Sequence, residues 1–423
     1  MLSDRLFEAA LSYKKSKLWE RLYDSQIFAV KHFDDTVSYC CVMGRVGELY
    51  ALAAYHGQAG LDSLHDLHNL NPDDMLITGE LMRGQDCLMV SFESKAALLP
   101  RALQFAKDYC ARTGTQLRGK NAFPSFERFR PGFERWYLED ETDQRYLAEA
   151  LEAATEVADR LRRDRVKPEA LGLMEDALSQ KEMVLLSRSD AGYVWSSCPT
   201  PHRSPVVYPE MRVEDDMTRV RLSKARLRGD WAARVFLTPT PVAEGTEDNE
   251  SDLVIPFDAL DTPPFYPYAL MVVNARSGMI LMMHLTRGPE YGPEFAEKIA
   301  EICDKDGLPR RMLVEDDRSE AMFRPFCEQF GIQLLRCDSI EALDDALDSF
   351  LESFDMDDLD DEDDDVDDGE IDAMLDLLRD EALVREIPTH MLREMFREID
   401  MSQLPGDVAD NLKREAKRRG IRI

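Results

Sequence analysis

The sequence has no run of about 18 consecutive apolar residues, so no segment is fit to cross a bilayer as a helix. None of its eight cysteines forms a Cys-x-x-Cys pair. Zinc-site and thioredoxin-type spacings are therefore missing. There is no Gly-rich phosphate loop, no Gly-x-Ser-x-Gly elbow and no paired-His zinc helix, which excludes the enzyme classes that depend on those motifs. Met1 to Glu8 starts an amphipathic helix, with no basic stretch leading into an apolar core, so no signal peptide is expected. The cysteines lie scattered in apolar segments and read as buried thiols in a reducing cytoplasm. No cofactor is implied.

Positive charge is also in deficit. Lys and Arg number 52 against 83 Asp and Glu, a net charge of −31. That balance disfavours bulk binding to nucleic acid or an anionic membrane, although it leaves room for a local basic patch. Much of the excess sits in one run, Asp355 to Asp372, which reads as a solvated linker because like charges repel and little apolar mass is present.

What is present is an α/β chain of several domains. Leu6, Phe7, Ala10, Leu11, Leu18 and Leu22 recur at helical spacing over 4–24. Strands follow at Ile27–Phe33, Thr36–Met43 and Glu48–Tyr55, joined by Asp34-Asp35 and Gly44–Gly47 turns, which makes an antiparallel meander. Leu61–Leu70 reads as a short helix, Cys87–Phe92 as a strand and 95–113 as a helix. Asn121 to Trp136, broken by Pro124, Pro131 and Gly132, reads as an ordered extended loop. A helix over 141–163 follows, with Thr142 as its cap candidate.

Cys40 and Cys41, adjacent in a strand, point to opposite faces. Residues 166–257 read as a β-rich linking region, with strands at Val206–Tyr208 and Val235–Leu237 able to extend either neighbour. Over 258–354, strands at Tyr268–Ala275 and Met279–Leu285 lead into a helix, a strand ending Leu313-Val-Glu-Asp-Asp317, a helix, a strand and a closing helix over Ile340–Phe354. The acidic linker 355–372 then leads to a helical segment, 373–423, with helices at 373–386, 390–399 and 406–419 and a basic tail.

Residues 1–165 resemble a bacterial domain of unknown function. The likeness rests on Tyr13-Lys-Lys-Ser-Lys-Leu-Trp19, Tyr39-Cys-Cys-Val-Met-Gly44, Glu48-Leu-Tyr-Ala-Leu52 and the Phe123-Pro-Ser-Phe and Pro131-Gly-Phe block. Residues 258–354 resemble a second uncharacterised bacterial domain often found beside the first, on Pro267–Val273, Gly307-Leu-Pro-Arg-Arg311, Leu313–Arg318 and Phe330-Gly-Ile-Gln-Leu334. The order of elements in that block is similar to the ribonuclease H and integrase class, which implies an RNase H-like mixed sheet. Members of the second family can carry a Cys-rich zinc motif at the C-terminus, but here no cysteine follows Cys337.

The ribonuclease H resemblance implies a two-metal site, for which about three carboxylates must converge. Glu315, Asp316 and Glu320 are the candidates, with Asp317 beside them and Asn274 at the position where the class carries an Asp. The plainer reading is a polar strand-to-helix loop, with Asp317 or Ser319 capping the helix. The same loop also suits a ligand, because strand C-termini and helix N-termini share a crevice in α/β sheets.

Elsewhere, His65 and His68 share a helical face beside Asp62 and His56, a pattern that is more ordinary than a metal site. Asp364–Leu375 has the Gly369 and Ile371 of a calcium loop but Val366 and Leu375 at two ligand positions. Arg128, Arg130 and Trp136 form an Arg-aromatic surface of the kind found at binding hot spots, and equally in a loop pinned to its own core. Lys417, Arg418 and Arg419 offer a basic surface for nucleic acid or for the acidic linker. The expected role is a non-catalytic binding or regulatory one, exercised through protein partners. The alternatives are a divergent two-metal nuclease and a nucleic-acid adaptor.

Overall fold

The computed structural model describes residues 2–47, 49–69, 75–243, 260–288, 291–358 and 406–418. They form ten α-helices and two mixed sheets of eight and five strands. Residues 1–351 make one compact unit, and 352–423 make a second.

The first strands are β1 (Phe28–Lys31), β2 (Val37–Met43), β3 (Ala51–His56) and β4 (Cys87–Glu93). The sheet continues through β5 (Phe123–Phe129) and β6 (Trp136–Tyr137), and on its other side through β7 (Glu182–Ser189) and β8 (Gly192–Pro199). Its order is β6-β5-β4-β3-β2-β1-β7-β8. The expected loop over Asn121–Trp136 is thus largely a strand pair. Pro124 is tolerated because β6 is two residues long and pairs only with Glu127 and Arg128, leaving the outer side of Pro124 without a ladder to break.

Helix α1 (Asp4–Ser16) and the 24-residue α5 (Glu141–Asp164) bury their apolar stripes against one face of this sheet. There Leu6, Phe7, Leu147 and Leu151 meet Phe28, Val30, Cys40 and Val42. The alternate residues Ile27, Ala29, Tyr39 and Cys41 face the other side, where α2 (Gly57–His68) brings Leu61 and Leu64. Cys40 and Cys41 therefore do fall on opposite faces, as a period of two requires. The cap of α5 is Asp140, two residues ahead of the expected Thr142. Its carboxylate accepts from the backbone N–H groups of Thr142 and Asp143.

The remaining elements of this half are α3 (Met75–Arg83) and α4 (Pro100–Thr113); α6 (Asp216–Leu222) follows β8. The second sheet comprises β9 (Asp230–Leu237), β10 (Tyr268–Asn274), β11 (Ile280–Thr286), β12 (Arg311–Val314) and β13 (Gln333–Arg336). Its order is β11-β10-β9-β12-β13, with β9, β12 and β13 parallel and β10 antiparallel to both neighbours. The strand expected at Val235–Leu237 is thus the centre of this sheet. Val206–Tyr208, also expected as a strand, is irregular chain. Helices α7 (Tyr291–Asp306) and α8 (Asp317–Phe330) cover one face, and α9 (Glu341–Asp358) covers the other through Leu343 and Leu347.

The first four residues of the expected acidic linker belong to α9, and the rest of it lies outside the described residues, as do the expected helices at 373–386 and 390–399 and the calcium-like segment. In the second unit, α10 (Gly406–Arg418) is helical as expected. Among the described residues no helix is long and apolar enough to cross a membrane.

Candidate functional site

The carboxyl ends of β9 and β12 point the same way, and α8 starts from the loop that leaves β12. This is where an α/β sheet opens a crevice toward helix N-termini. Asp316 is the N-cap of α8. It accepts from Ser319 N at 2.7 Å and Ser319 Oγ at 2.8 Å, so the expected caps Asp317 and Ser319 are displaced by one residue and by role. Ser319 Oγ in turn accepts from Val235 N at 3.0 Å, which ties the start of the helix to the central strand.

The four candidate acids do not converge. Arg234 of β9 stands between two of them, at 3.7 Å from Glu315 and 3.9 Å from Asp316. Asp317 turns to Arg336 at 2.9 Å, and Glu320 pairs with Arg324 and with Arg336. Asn274 is placed elsewhere. It pairs with Trp231 at the opening end of β9, three residues before Arg234, and its Oδ1 accepts from Arg276 N and Ser277 N to form the turn.

By its sequence β10 reads as the first strand of the block, which places Asn274 opposite the acids. With β9 in the centre, the residue level with Glu315 is Arg234. A guanidinium thus occupies the space between carboxylates that a two-metal site needs for cations. Burial, followed by the nearby charge of Asp344, raises the Glu315 pKa, and Glu315 Oε1 is buried without a hydrogen-bond partner.

One wall of the crevice comes from the eight-stranded half. Glu80 of α3 accepts from Leu237 N at 2.9 Å and pairs with Arg318 of α8 at 2.7 Å. Both side chains are largely buried, at 13% and 22% exposure. Burial alone works against the Arg318 charge, but Glu80 with Tyr291 and Tyr268 outweighs it, and the guanidinium pKa is raised. Beyond Arg318 opens a groove of about 610 Å³ walled by Tyr208, Pro209, Tyr268, Tyr291 and Pro293. The Tyr268 and Tyr291 rings stack at 4.0 Å. Burial raises the pKa of all three tyrosines, so the phenols keep their protons at neutral pH. Gly292 sets the width of the groove. A methyl group there would lie 2.6 Å from the Glu210 carbonyl oxygen, so only glycine lets the Tyr208–Glu210 segment rest on the start of α7.

The other candidates disperse. Arg128 is held by Asp86 at 2.6 Å and Asp143 at 3.4 Å, Trp136 is buried with Leu98, Ala102 and Tyr137, and Arg130 is exposed. His65 approaches the Pro201 carbonyl and His68 the Asp176 carboxylate, so the histidines close in sequence are not close in function. Among the described residues no group of three or more His, Cys, Asp or Glu is placed to hold a metal ion. Lys417 and Arg418 are exposed on α10, and Arg419 lies outside the described residues.

A second polar cluster was not foreseen. His32 is buried and bonds Glu149 through Nδ1 at 3.0 Å and Ser38 Oγ through Nε2 at 2.8 Å, and Ser38 Oγ meets His56 Nδ1 at 3.0 Å. The strand register held the signal, since Ser38 pairs directly with His56 and His32 closes the β1–β2 turn by donating its N–H to the Thr36 carbonyl. Glu149, from α5, had no local cue.

Residues 4–177 match the family described as a domain of unknown function (DUF7309), and residues 216–351 match a second domain of unknown function (DUF6930). The second match begins ahead of β9 and so takes in all five strands of the smaller sheet. No curated protein and no solved structure matches the chain.

Proposed function

Given a chain that carries two adjacent domains of unknown function, we propose that it is a non-catalytic binding protein that holds an extended segment of a protein partner in the tyrosine-walled groove beside Arg318. The observation that carries this reading is the contrast inside one crevice. The acids there are occupied by guanidiniums, Glu315 and Asp316 sharing Arg234 and Asp317 and Glu320 sharing Arg336, while the adjoining groove of tyrosines and prolines stays open.

Stacked aromatic faces with protonated phenols suit a proline-containing segment, whose extended backbone is ordered before binding and offers carbonyls to accept from the hydroxyls. Tyrosine is also a side chain that contributes strongly at interface hot spots. All eight cysteines are free thiols, five of them buried, which supports a reducing compartment such as the cytoplasm.

The test is selection of displayed proline-containing peptides on the full chain, followed by calorimetry with the wild type and with Tyr208→Ala. Selected peptides should lose at least about tenfold in affinity on the variant. Failure to select any peptide would overturn the proposal. So would a metal-dependent nuclease activity of the purified chain that Asp316→Ala abolishes.

A further inference from the structure

The eight-stranded sheet contains one parallel pair, β1 with β7, in register Ala29 with Leu185, Val30 with Leu186 and Lys31 with Ser187. Every other neighbouring pair in that sheet is antiparallel. The chain therefore leaves both strands at the same end, and a cleft of about 670 Å³ opens there between α1, α5 and the strand ends. Its volume is in the range of small-molecule sites.

Four cations from four elements line it: Arg5, Lys31, Arg145 and Arg188. In a chain of net charge −31 this is a local reversal of sign. Three carboxylates meet them. Asp35 pairs with Lys31 at 2.7 Å, Glu149 with Arg145 at 3.2 Å, and Glu152 with Arg5 at 2.8 Å and with Arg188.

The carboxylates are already heavily used. Glu149 Oε2 accepts from His32 Nδ1 at 3.0 Å and from Phe33 N at 3.3 Å, so the protein interior claims much of its capacity. That bond also fixes the histidine chain. With Glu149 ionised, Nδ1 of His32 carries the proton, Nε2 accepts from the Ser38 hydroxyl, and Ser38 accepts from His56 Nδ1. The chain clamps Glu149 from behind, with the buried His32 at the inner wall of the cleft. In front of it, three guanidiniums offer about five N–H donors each against about four acceptor sites on each of two carboxylates. Donors are in excess, and the arginine side chains stay 42%, 48% and 62% exposed for Arg5, Arg145 and Arg188. The Arg145 guanidinium lies 3.3 Å from the centre of the Phe33 ring, which holds its plane in place, and Tyr193 supplies a second aromatic wall.

We propose that this cleft binds a small molecule bearing a phosphate monoester. The phosphate is held by Arg5, Arg145 and Arg188, and the apolar remainder lies on Phe33 and Tyr193. Planar guanidinium forks match the tetrahedral oxygens of phosphate two at a time, which ammonium groups do not. The site is separate from the tyrosine groove and stands or falls independently of it.

Calorimetry on the full chain, with phenyl phosphate, inorganic phosphate and succinate as probes, tests the assignment. Phenyl phosphate should bind saturably and more tightly than inorganic phosphate. Succinate should be weaker than both. The Arg145→Ala/Arg188→Ala double variant should lose about tenfold or more, and Arg145→Lys/Arg188→Lys should fall between, because charge survives while the fork is lost. Circular dichroism on both variants confirms that these exposed substitutions leave the fold intact. The proposal fails if phenyl phosphate does not saturate, if the alanine variant binds as the wild type does, or if succinate binds as tightly. Equal affinity for phenyl and inorganic phosphate would remove the aromatic wall from the site and overturn the small-molecule assignment.

Discussion

The cleft of the eight-stranded half and the crevice of the five-stranded half are built alike and behave differently. Each lies where parallel strands end together, and each gathers arginines and carboxylates. In the crevice the guanidinium of Arg318 is 22% exposed and meets a carboxylate brought from the other half of the unit. In the cleft the arginines are about half exposed and share two carboxylates, one of which, Glu149, the interior already holds. Burial decides the difference. A desolvated guanidinium must be matched one for one or the fold bears a large cost, whereas a solvated one contributes little to stability and remains available to a ligand.

The sharpest break of that comparison is at Glu80. Glu80→Ala leaves Arg318 buried without its partner and the Leu237 N–H without an acceptor. The expected loss is about 3–5 kcal/mol in denaturant unfolding. A loss under about 1 kcal/mol would mean that Arg318 finds water in the variant, and the two sites would then be alike after all.

Acid should separate them next, with opposite signs. Burial lowers the His32 and His56 pKa values below the ordinary 6.5. The unfolded chain then binds protons first as pH falls, so this contribution is complete above about 6.5 and is lost on acidification below it. Burial raises Glu315 above its ordinary 4.5, so its contribution is present below that value and is lost as pH rises through the folded pKa. The thermal midpoint should therefore fall from about pH 6.5 downward in the wild type and fall less in His32→Asn. Glu315→Gln should steepen that acid slope, because it removes a contribution that grows as pH falls toward 4.5, and should raise the midpoint at pH values above the folded pKa of Glu315. An unchanged acid slope in His32→Asn would sink the assignment of the slope to the histidine chain.

The smallest effect is expected in the cleft itself. Arg188→Ala removes an exposed ion pair with Glu152 and should cost at most about 1 kcal/mol by the same unfolding measurement. A larger loss would make Arg188 a structural residue like Arg318.

How much of this was legible in the sequence depended on whether the information was local. Periodicity gave the meander, the opposed faces of Cys40 and Cys41, and the long α5, because each is set by spacing within a few residues. Strand order was not local. Tyr268–Ala275 looks like a first strand, since nothing nearby says that Asp230–Leu237 will insert beside it, and a single misplaced strand moved Asn274 into a site that Arg234 occupies. The Phe123–Phe129 strand was hidden by Pro124, whose cost vanishes only because β6 is so short. The histidines misled by proximity. His65 and His68 are neighbours in the chain, yet the working partners of His56 and His32 are Ser38 and Glu149. The cleft arginines come from positions 5, 145 and 188, and no pattern within any one segment predicts that they meet.

Glu80 has a consequence for how the protein is made. Its carboxylate stands 157 residues ahead of the Leu237 amide that it receives. A growing chain folds from its N-terminal end, so the acceptor is on hand before the central strand of the second sheet leaves the ribosome. Synthesised without the first half, the second would have to fold around a bare guanidinium at Arg318. The order of the two domains along the chain thus has the Glu80 acceptor made before the groups that it receives.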